Sequence, residues 1–187
     1  RAPEDGIEFA IIAMGRFGGG ELSFGSDLDV VYVFRDNGAG ANASQVAAEI
    51  VKNITLLSED VLFPVDLDAG LRPEGKNGPL VRSLEAFSQY YQRWALGWEA
   101  QALLRAASCV GEESLHDDFL EMAAPYRYPV SFSDDQAREI RRIKARVEAE
   151  RLPQGADSSR HLKLGRGSLS DVEWAIQLLQ LQHGHQY

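Results

Sequence analysis

The chain has 187 residues, 44% of them hydrophobic and 25% charged, with a formal net charge of −9 at pH 7. This composition is typical of a globular protein with a sizeable core, in one large or two small domains. The acidic balance argues against binding nucleic acid or an anionic membrane surface, and no apolar run approaches the roughly 20 residues of a membrane helix. The single cysteine, Cys109, cannot form an internal disulfide, which favours a cytoplasmic protein. Because the first residue is Arg1, we expect a piece of a longer polypeptide.

Two short apolar runs, Phe9–Met14 and Val30–Phe34, predict buried strands, because they are short and rich in β-branched or aromatic residues. A glycine-rich loop joins them, and Asp27 and Asp29 open the second strand. Residues two apart on a strand share a face, so both carboxylates point the same way. The next residues on that face are valines, which makes the paired charge an exception on a face that is otherwise buried.

Paired carboxylates at this position favour a divalent cation, since burying two unpaired like charges costs several kcal/mol. Oxygen ligands suit Mg²⁺, whose coordination shell substrate phosphates often complete. Glycines let backbone amides approach a phosphate closely. The combination indicates nucleotidyl or phosphoryl transfer. The alternative is a glycine-rich hairpin with two solvated aspartates at its mouth.

A helix is predicted next, capped by Ser44. The segment Leu62–Leu71 then alternates as a strand does, with Asp66 and Asp68 on one face. If this strand pairs beside the first one, one of these acids supplies a third carboxylate. The alternative is an edge strand whose acids face solvent.

Arg72 and Lys76 follow in a turn-rich loop, where they could neutralise a triphosphate or its pyrophosphate leaving group. For Lys76 a charged loop tip is the simpler interpretation. A long helix is predicted from Ser83 or Leu84 through Leu104, and its aromatic stripe is more typical of a core than of base stacking. Arg105, at its end, fits a phosphate contact or the surface equally well.

The second half of the chain favours helices. Residues 123–133 indicate a connection, and Asp134 or Asp135 is predicted to cap a charged helix over about 136–152. The last predicted helix follows the segment Lys163–Trp174, where two interpretations stay open. Ser170 and Glu173 have the spacing of a capping box; alternatively, the Gly165–Gly167 loop, with Arg166 and Lys163, faces an anion at the helix N-terminus. The four histidines show no metal-ligand spacing, so no zinc site is expected.

Four ordered motifs resemble a known family. They are Gly18-Gly-Gly-Glu-Leu-x-x-Gly-Ser-Asp-Leu-Asp29, Asp68-Ala-Gly-Leu-Arg-Pro-Glu-Gly75, Trp98-Glu-Ala-Gln-Ala-Leu-Leu-Arg105 and Lys163-Leu-Gly-Arg-Gly-Ser-Leu-Ser-Asp-Val-Glu-Trp174. The first resembles the signature of polymerase-β-like nucleotidyltransferases, and the set is similar to the glutamine synthetase adenylyltransferase (glutamate-ammonia-ligase adenylyltransferase) family. One departure is Ser168, where the family usually has glycine.

The resemblance implies an activity. Enzymes of this family have two similar halves, and the chain resembles the C-terminal one, which transfers AMP from ATP to a tyrosine of glutamine synthetase and so regulates nitrogen assimilation. The implied reaction depends on Mg²⁺ and releases pyrophosphate. Two alternatives are phosphorolytic deadenylylation of adenylylated glutamine synthetase and a regulatory nucleotide-binding module without turnover. A PII-type signalling protein is a further possible partner of the full-length enzyme.

The resemblance also implies site residues. Asp27, Asp29 and Asp68 would hold Mg²⁺ as the catalytic carboxylates, with Asp68 also able to accept a proton and Asp66 left outside. The phosphate contacts would be Gly18, Gly19 and Ser26, together with Arg72 from the neighbouring loop.

The predicted architecture is α/β. A polymerase-β-like nucleotidyltransferase core, with a small mixed sheet flanked by helices, is expected over residues 1–108. A helical region is expected over residues 109–187.

Overall fold

The computed structural model describes residues 6–59, 61–62, 64–157 and 159–186. The strands are β1 (Gly6–Ala13), β2 (Leu28–Asn37), β3 (Leu67–Asp68), β4 (Val81–Ser83) and β5 (Ala107–Gly111). The helices are α1 (Gly15–Gly18, a single turn), α2 (Ala43–Ser58), α3 (Leu84–Arg93), α4 (Gly97–Leu103), α5 (Glu113–Arg127), α6 (Asp134–Arg151) and α7 (Leu169–His183). No helix in these ranges has the length and apolar character needed to cross a bilayer.

Within the described ranges, five strands form one mixed sheet in the order β3-β2-β1-β5, with β4 pairing to β2 as well. β1 and β2 are antiparallel from Gly6 opposite Asn37 to Ala13 opposite Val30. β3 and β4 both run parallel to β2, and β5 is antiparallel to β1. The predicted fold class, α/β with a small mixed sheet flanked by helices, is confirmed.

β2 is the central strand, and its composition explains why. Val30–Phe34 is buried throughout, as a strand must be when helices or loops cover both of its faces. Ala47 and Val51 of α2 are fully buried among the residues of this core. Phe87 of α3 and Phe119 of α5 pack edge to face, with ring centroids 5.4 Å apart.

The described residues divide into two compact units. Unit 1 comprises residues 6–95 and 105–123, and contains the sheet; unit 2 comprises residues 96–104 and 124–186, and is helical. Buried Leu104, Ile140 and Leu181 form a core cluster in unit 2. The expected assignment of residues 1–108 and 109–187 to a catalytic core and a helical region stays a prediction.

The predicted strand over Leu62–Leu71 is mostly wrong, since only Leu67 and Asp68 form a strand. Pro64 has no amide hydrogen to donate to a ladder. At the other end, the Gly70 amide donates to Asp68 Oδ1 at 2.7 Å, a side-chain turn that diverts the backbone from the ladder. Phe63 lies outside the described residues.

The predicted helix from residue 84 to 104 is interrupted. It begins as expected, with the Ser83 side chain accepting from the Ala86 amide at 3.1 Å, but α3 ends at Arg93 and α4 begins at Gly97. The new N-terminus is held by Glu99, which is fully buried and accepts from the Leu96 amide at 2.8 Å. Glu99, which the sequence places inside one long helix, therefore caps the start of a second helix, α4.

Three predicted helix caps are wrong by one or two residues. α2 begins at Ala43, so Ser44 lies inside it. α6 begins at Asp134 and is capped by Ser133, which exchanges hydrogen bonds with Gln136 in a capping box. α7 begins at Leu169, so Ser170 is a buried helical residue and does not cap it. Ser133 caps α6 with its side chain, whereas α2 and α7 begin without a side-chain cap, so the residue type alone does not fix where they start.

Candidate metal and nucleotide site

Three carboxylates meet where β3 joins β2. In the parallel pairing of the two strands, Leu28 lies opposite Leu67 and Asp29 lies opposite Asp68. Asp27 precedes β2 by one residue and so shares the face of Asp29. One carboxylate oxygen from each of Asp27, Asp29 and Asp68 lies within 4.8 Å of the other two. Segments that are about 40 residues apart in sequence thus supply one acidic cluster.

The acidic cluster lies at the surface of unit 1. Asp27 is exposed, whereas Asp29 and Asp68 are half-buried. Gly70 fixes the Asp68 carboxylate through its amide. Gly15, with φ of +50°, lies so close to the Asp29 carboxylate that a Cβ there would collide with it. The positive φ favours glycine at position 15, and a side chain there would also displace the Asp29 carboxylate.

The donor set fits Mg²⁺. Its ligands are carboxylate oxygens, the type that Mg²⁺ prefers, with no thiolate or imidazole among them. The three oxygens lie within 4.8 Å of one another, which is comparable to about 4.2 Å, the separation of two ligands on opposite sides of one octahedral Mg²⁺. Three like charges at this separation repel one another, and a bound cation would remove that repulsion.

The structure excludes Asp66 from the cluster although it shares a strand pattern with Asp68. Its backbone carbonyl accepts from the Leu28 amide at 2.8 Å, and its side chain is exposed. Asp66 thus helps to align β3 with β2 through its backbone. Asp68, and not Asp66, lies with Asp27 and Asp29; its role as the third metal ligand stays a prediction.

The glycine turn differs from the phosphate loop that the sequence suggests. It forms α1, in which the Gly18 amide donates to Met14 O at 2.7 Å and the Gly19 amide donates to Gly15 O at 3.1 Å. The Ser26 amide donates to Ser23 O at 3.1 Å, and the two serine hydroxyls are 2.8 Å apart. These amides therefore already have acceptors, and a phosphate contact through Gly18, Gly19 or Ser26 stays a prediction.

Arg72 holds its own loop. Its guanidinium donates to the carbonyl oxygens of Ala69 at 2.7 Å, Gly78 at 3.2 Å and Lys76 at 3.2 Å. Releasing the bonds to Ala69 and Gly78, which are buried residues, would leave their carbonyl oxygens unsatisfied, and this costs about 1–3 kcal/mol for a buried group. The phosphate contact expected of Arg72 stays a prediction. In the structure its side chain holds the backbone of the loop that follows Asp68.

The sequence is equally compatible with a phosphate contact and a surface position for Arg105. In the structure Arg105 lies beside the glycine turn. Arg105 Nη1 is 2.8 Å from Glu21 Oε2. The pairing of β1 with β5 brings residue 105 next to the turn, because Ala13 lies opposite Ala107. Both residues belong to motifs of the sequence, but no local pattern indicates that Glu21 and Arg105 meet.

Two open clefts of unit 1 lie away from the acidic cluster. One, of about 550 Å³, is lined by residues including Arg82, Tyr90 and Trp94. The other, of about 620 Å³, lies near Arg35 and Asp36 at the far end of β2. The acidic cluster lines neither cleft. Its interpretation as a metal site therefore depends on the positions of the carboxylate oxygens and not on an enclosing pocket.

In unit 2 the last motif is built around Asp171. Its carboxylate accepts from the Gly167 amide at 2.6 Å and pairs with Lys144, which also pairs with Glu148. The hydrogen bonds from Lys144 and Gly167 lower the pKa of Asp171. Burial lowers the pKa of Lys144, but its hydrogen bonds to Asp171 and Glu148 outweigh this and raise it. A carboxylate of the chain itself thus occupies the loop where an external anion was one of the two interpretations.

Comparisons with known proteins agree with the motifs. Residues 1–122 match the family model described as glutamate-ammonia ligase adenylyltransferase. Among curated proteins, the bifunctional glutamine synthetase adenylyltransferase/adenylyl-removing enzyme of Leifsonia xyli is 62% identical over 95% of this chain and 18% of the relative. The enzymes of that name from Streptomyces avermitilis and Mycobacterium bovis are 53% and 52% identical, over 94% and 100% of this chain and 18% and 19% of their own lengths.

The chain spans about a fifth of the length of these relatives. Its family match covers well over half of its own residues and includes Asp27, Asp29 and Asp68, the three residues of the acidic cluster. The chain belongs to the glutamate-ammonia ligase adenylyltransferase family.

Proposed function

We propose that the chain transfers AMP from Mg²⁺-bound ATP to a tyrosine of glutamine synthetase and releases pyrophosphate. The observation that carries the proposal is the convergence of Asp27, Asp29 and Asp68 within 4.8 Å. The names of the relatives, which are glutamine synthetase adenylyltransferases, support the substrate and the reaction class.

The three carboxylates would hold Mg²⁺, which in such a site neutralises phosphate charge and lowers the pKa of an attacking hydroxyl. In the proposed reaction the tyrosine oxygen forms a bond to the α-phosphorus, and the bond from that phosphorus to the bridging oxygen breaks. The pair of electrons leaves with pyrophosphate. Asp68, oriented by the Gly70 amide, accepts the hydroxyl proton.

A second candidate function follows from the names of the relatives. The relatives are both adenylyltransferases and adenylyl-removing enzymes, and the chain matches only about a fifth of each. The same carboxylates would serve phosphorolysis of adenylyl-tyrosine, with phosphate as the nucleophile and ADP as the product. The retained carboxylates argue against a third possibility, a regulatory nucleotide-binding module without turnover.

The Asp29→Ala variant tests the proposal. The unaltered chain is incubated with Mg²⁺, ATP labelled at the α-phosphate and glutamine synthetase, and the label on glutamine synthetase is measured. Because Asp29 supplies one of three ligands, we expect a loss of at least about 100-fold, with the circular dichroism spectrum retained. Asp66→Ala is the matched control, since Asp66 lies outside the acidic cluster, and should keep activity within a factor of about three.

Full activity in Asp29→Ala would refute the metal assignment. A parallel incubation with labelled adenylylated glutamine synthetase and phosphate separates the two directions. Formation of ADP there, with no label transfer in the first assay, would replace adenylylation by deadenylylation. We also propose glutamine synthetase as the protein partner and a PII-type protein as a partner of the longer enzyme; the cytoplasm is the proposed location.

A further inference from the structure

Arg105 lies against the same turn as the acidic cluster. A Cβ on Gly18 would collide with the carbonyl oxygen of Arg105, and one on Gly19 would lie 3.4 Å from Arg105 Cδ and 3.7 Å from its Nε. At its first residue, Gly15, this turn touches the Asp29 carboxylate. Gly15 and Gly19 are about one helical turn apart, a rise of about 5.4 Å. The Arg105 side chain and the Asp29 carboxylate therefore lie beside the two ends of the same turn.

A triphosphate bound at the acidic cluster needs cations from the protein as well as from the metal. Arg72, the first candidate by sequence, donates to three backbone carbonyls. Elsewhere in the described part of unit 1, Arg35 pairs with Glu8 and Asp118. Its position near the end of β2 separates it from Asp29, at the start of that strand.

Arg105 differs from Arg72 because its ion-pair partner is the carboxylate of Glu21 and not a backbone carbonyl. Its own side chain is 16% exposed, so it is held in place by the turn, whereas the Glu21 side chain is 55% exposed. Glu21 can therefore leave the pair and be solvated by water at little cost, which is not true of a buried carbonyl. Guanidinium also forms stronger bonds with phosphate oxygens than most donors do, because it can bind them in a bidentate way.

We propose that Arg105 binds the triphosphate of ATP and that Glu21 occupies Arg105 until the nucleotide displaces it. The inference depends on the proposed function, because it assumes that ATP binds at the acidic cluster. Two consequences follow. The Glu21 carboxylate competes with phosphate for Arg105, and it also repels the negative charge of the incoming triphosphate. Removing Glu21 should therefore strengthen nucleotide binding, whereas removing Arg105 should weaken it.

A double-mutant cycle measured by calorimetric titration tests the proposal. The ligand is Mg²⁺ with α,β-methylene-ATP, which cannot undergo cleavage at the α-phosphorus. We expect Glu21→Gln to lower the Kd by about three- to five-fold and Arg105→Gln to raise it by about ten-fold. In the double variant, Glu21→Gln should add at most a two-fold change to the Arg105→Gln value, because most of its effect acts through the guanidinium.

The ion pair of Lys52 with Glu49 on α2 provides matched controls. Its atoms are 3.4 Å apart and both side chains are mostly exposed. Lys52→Gln and Glu49→Gln change the net charge of unit 1 as the test variants do, and their Kd values should stay within two-fold of the unaltered chain. Circular dichroism and urea unfolding report whether each variant is folded; if Arg105→Gln unfolds, the exposed Glu21→Gln variant decides the question.

A Glu21→Gln variant that binds the analogue equally or more weakly would overturn the inference, because Glu21 would then be a structural or positioning partner. The Asp29→Ala variant distinguishes a failure of the Arg105 inference from a failure of the proposed nucleotide site. If Asp29→Ala abolishes binding while Glu21→Gln changes nothing, the inference fails and the proposed site stands. If Asp29→Ala binds like the unaltered chain, or the unaltered chain does not bind, the proposed site fails and the inference fails with it.

Discussion

The three consecutive glycines at positions 18–20 offer the sharpest test of the structure. All three look equivalent in the sequence, and in a helical turn each would gain stability from replacement by alanine. In the structure they differ. A Cβ on Gly18 would lie 2.6 Å from Ala13 O and closer still to Arg105 O, whereas one on Gly19 would come no nearer than 3.4 Å to a flexible arginine methylene.

The expected magnitudes follow from these contacts. Both atoms that oppose a side chain at position 18 belong to the backbone of paired strands or their ends, so they cannot rotate away. We expect Gly18→Ala to lower the free energy of unfolding by about 3 kcal/mol, the upper part of the range for overpacking. Gly19→Ala should raise it by about 0.5 kcal/mol, because alanine restricts the unfolded chain and the Gly19 backbone is already helical, with φ of −79°.

Urea unfolding followed by circular dichroism measures the difference. With a slope of about 2 kcal/mol per molar urea, the two variants should differ in midpoint by roughly 1.8 M. Gly19→Ala is the matched control, since it makes the same chemical change at the adjacent residue. Equal midpoints for the two variants would show that Gly18 does not pack against Ala13 and Arg105, and would refute the placement of the turn.

Two further predictions concern unit 2. Asp171→Asn should lower the unfolding free energy at pH 7 by about 1 kcal/mol, since the Asp171 side chain is 32% exposed. Folding lowers the pKa of Asp171. The stabilisation from its carboxylate is therefore present above the unfolded pKa of about 3.9 and is lost as the pH falls through the lower folded pKa. If urea titrations at pH 2 still show the full loss of stability in Asp171→Asn, the ion pair with Lys144 is not its cause. Ser133→Ala, which removes the N-cap of α6, should cost about 1 kcal/mol, whereas Ser131→Ala on the exposed connection should cost less than about 0.5 kcal/mol; equal midpoints for these two variants would remove Ser133 as the cap.

The sequence predicts the strands around the glycine loop because their signal is local. Val30–Phe34 is a continuous β-branched and aromatic run, and a strand alternates sides with a period of two. The same period places Asp27 and Asp29 on one face without any knowledge of the fold. Helix boundaries are harder, as Ser44 and Ser170 show, because α2 and α7 begin without any side-chain cap, so a nearby serine does not mark their first residue.

The chain's spacing alone determined that two carboxylates share a face after a glycine loop. Spacing did not choose between Asp66 and Asp68; the resemblance implied Asp68, and the pairing of β3 with β2 brings its carboxylate to Asp27 and Asp29. Whether Gly18 or Gly19 has room for a side chain, and which arginine lies beside the loop, were decided only by the tertiary structure. The reason is that each depends on a pairing between distant segments, β2 with β3 and β1 with β5. Local periodicity contains no information on the register between strands that are 40 to 100 residues apart.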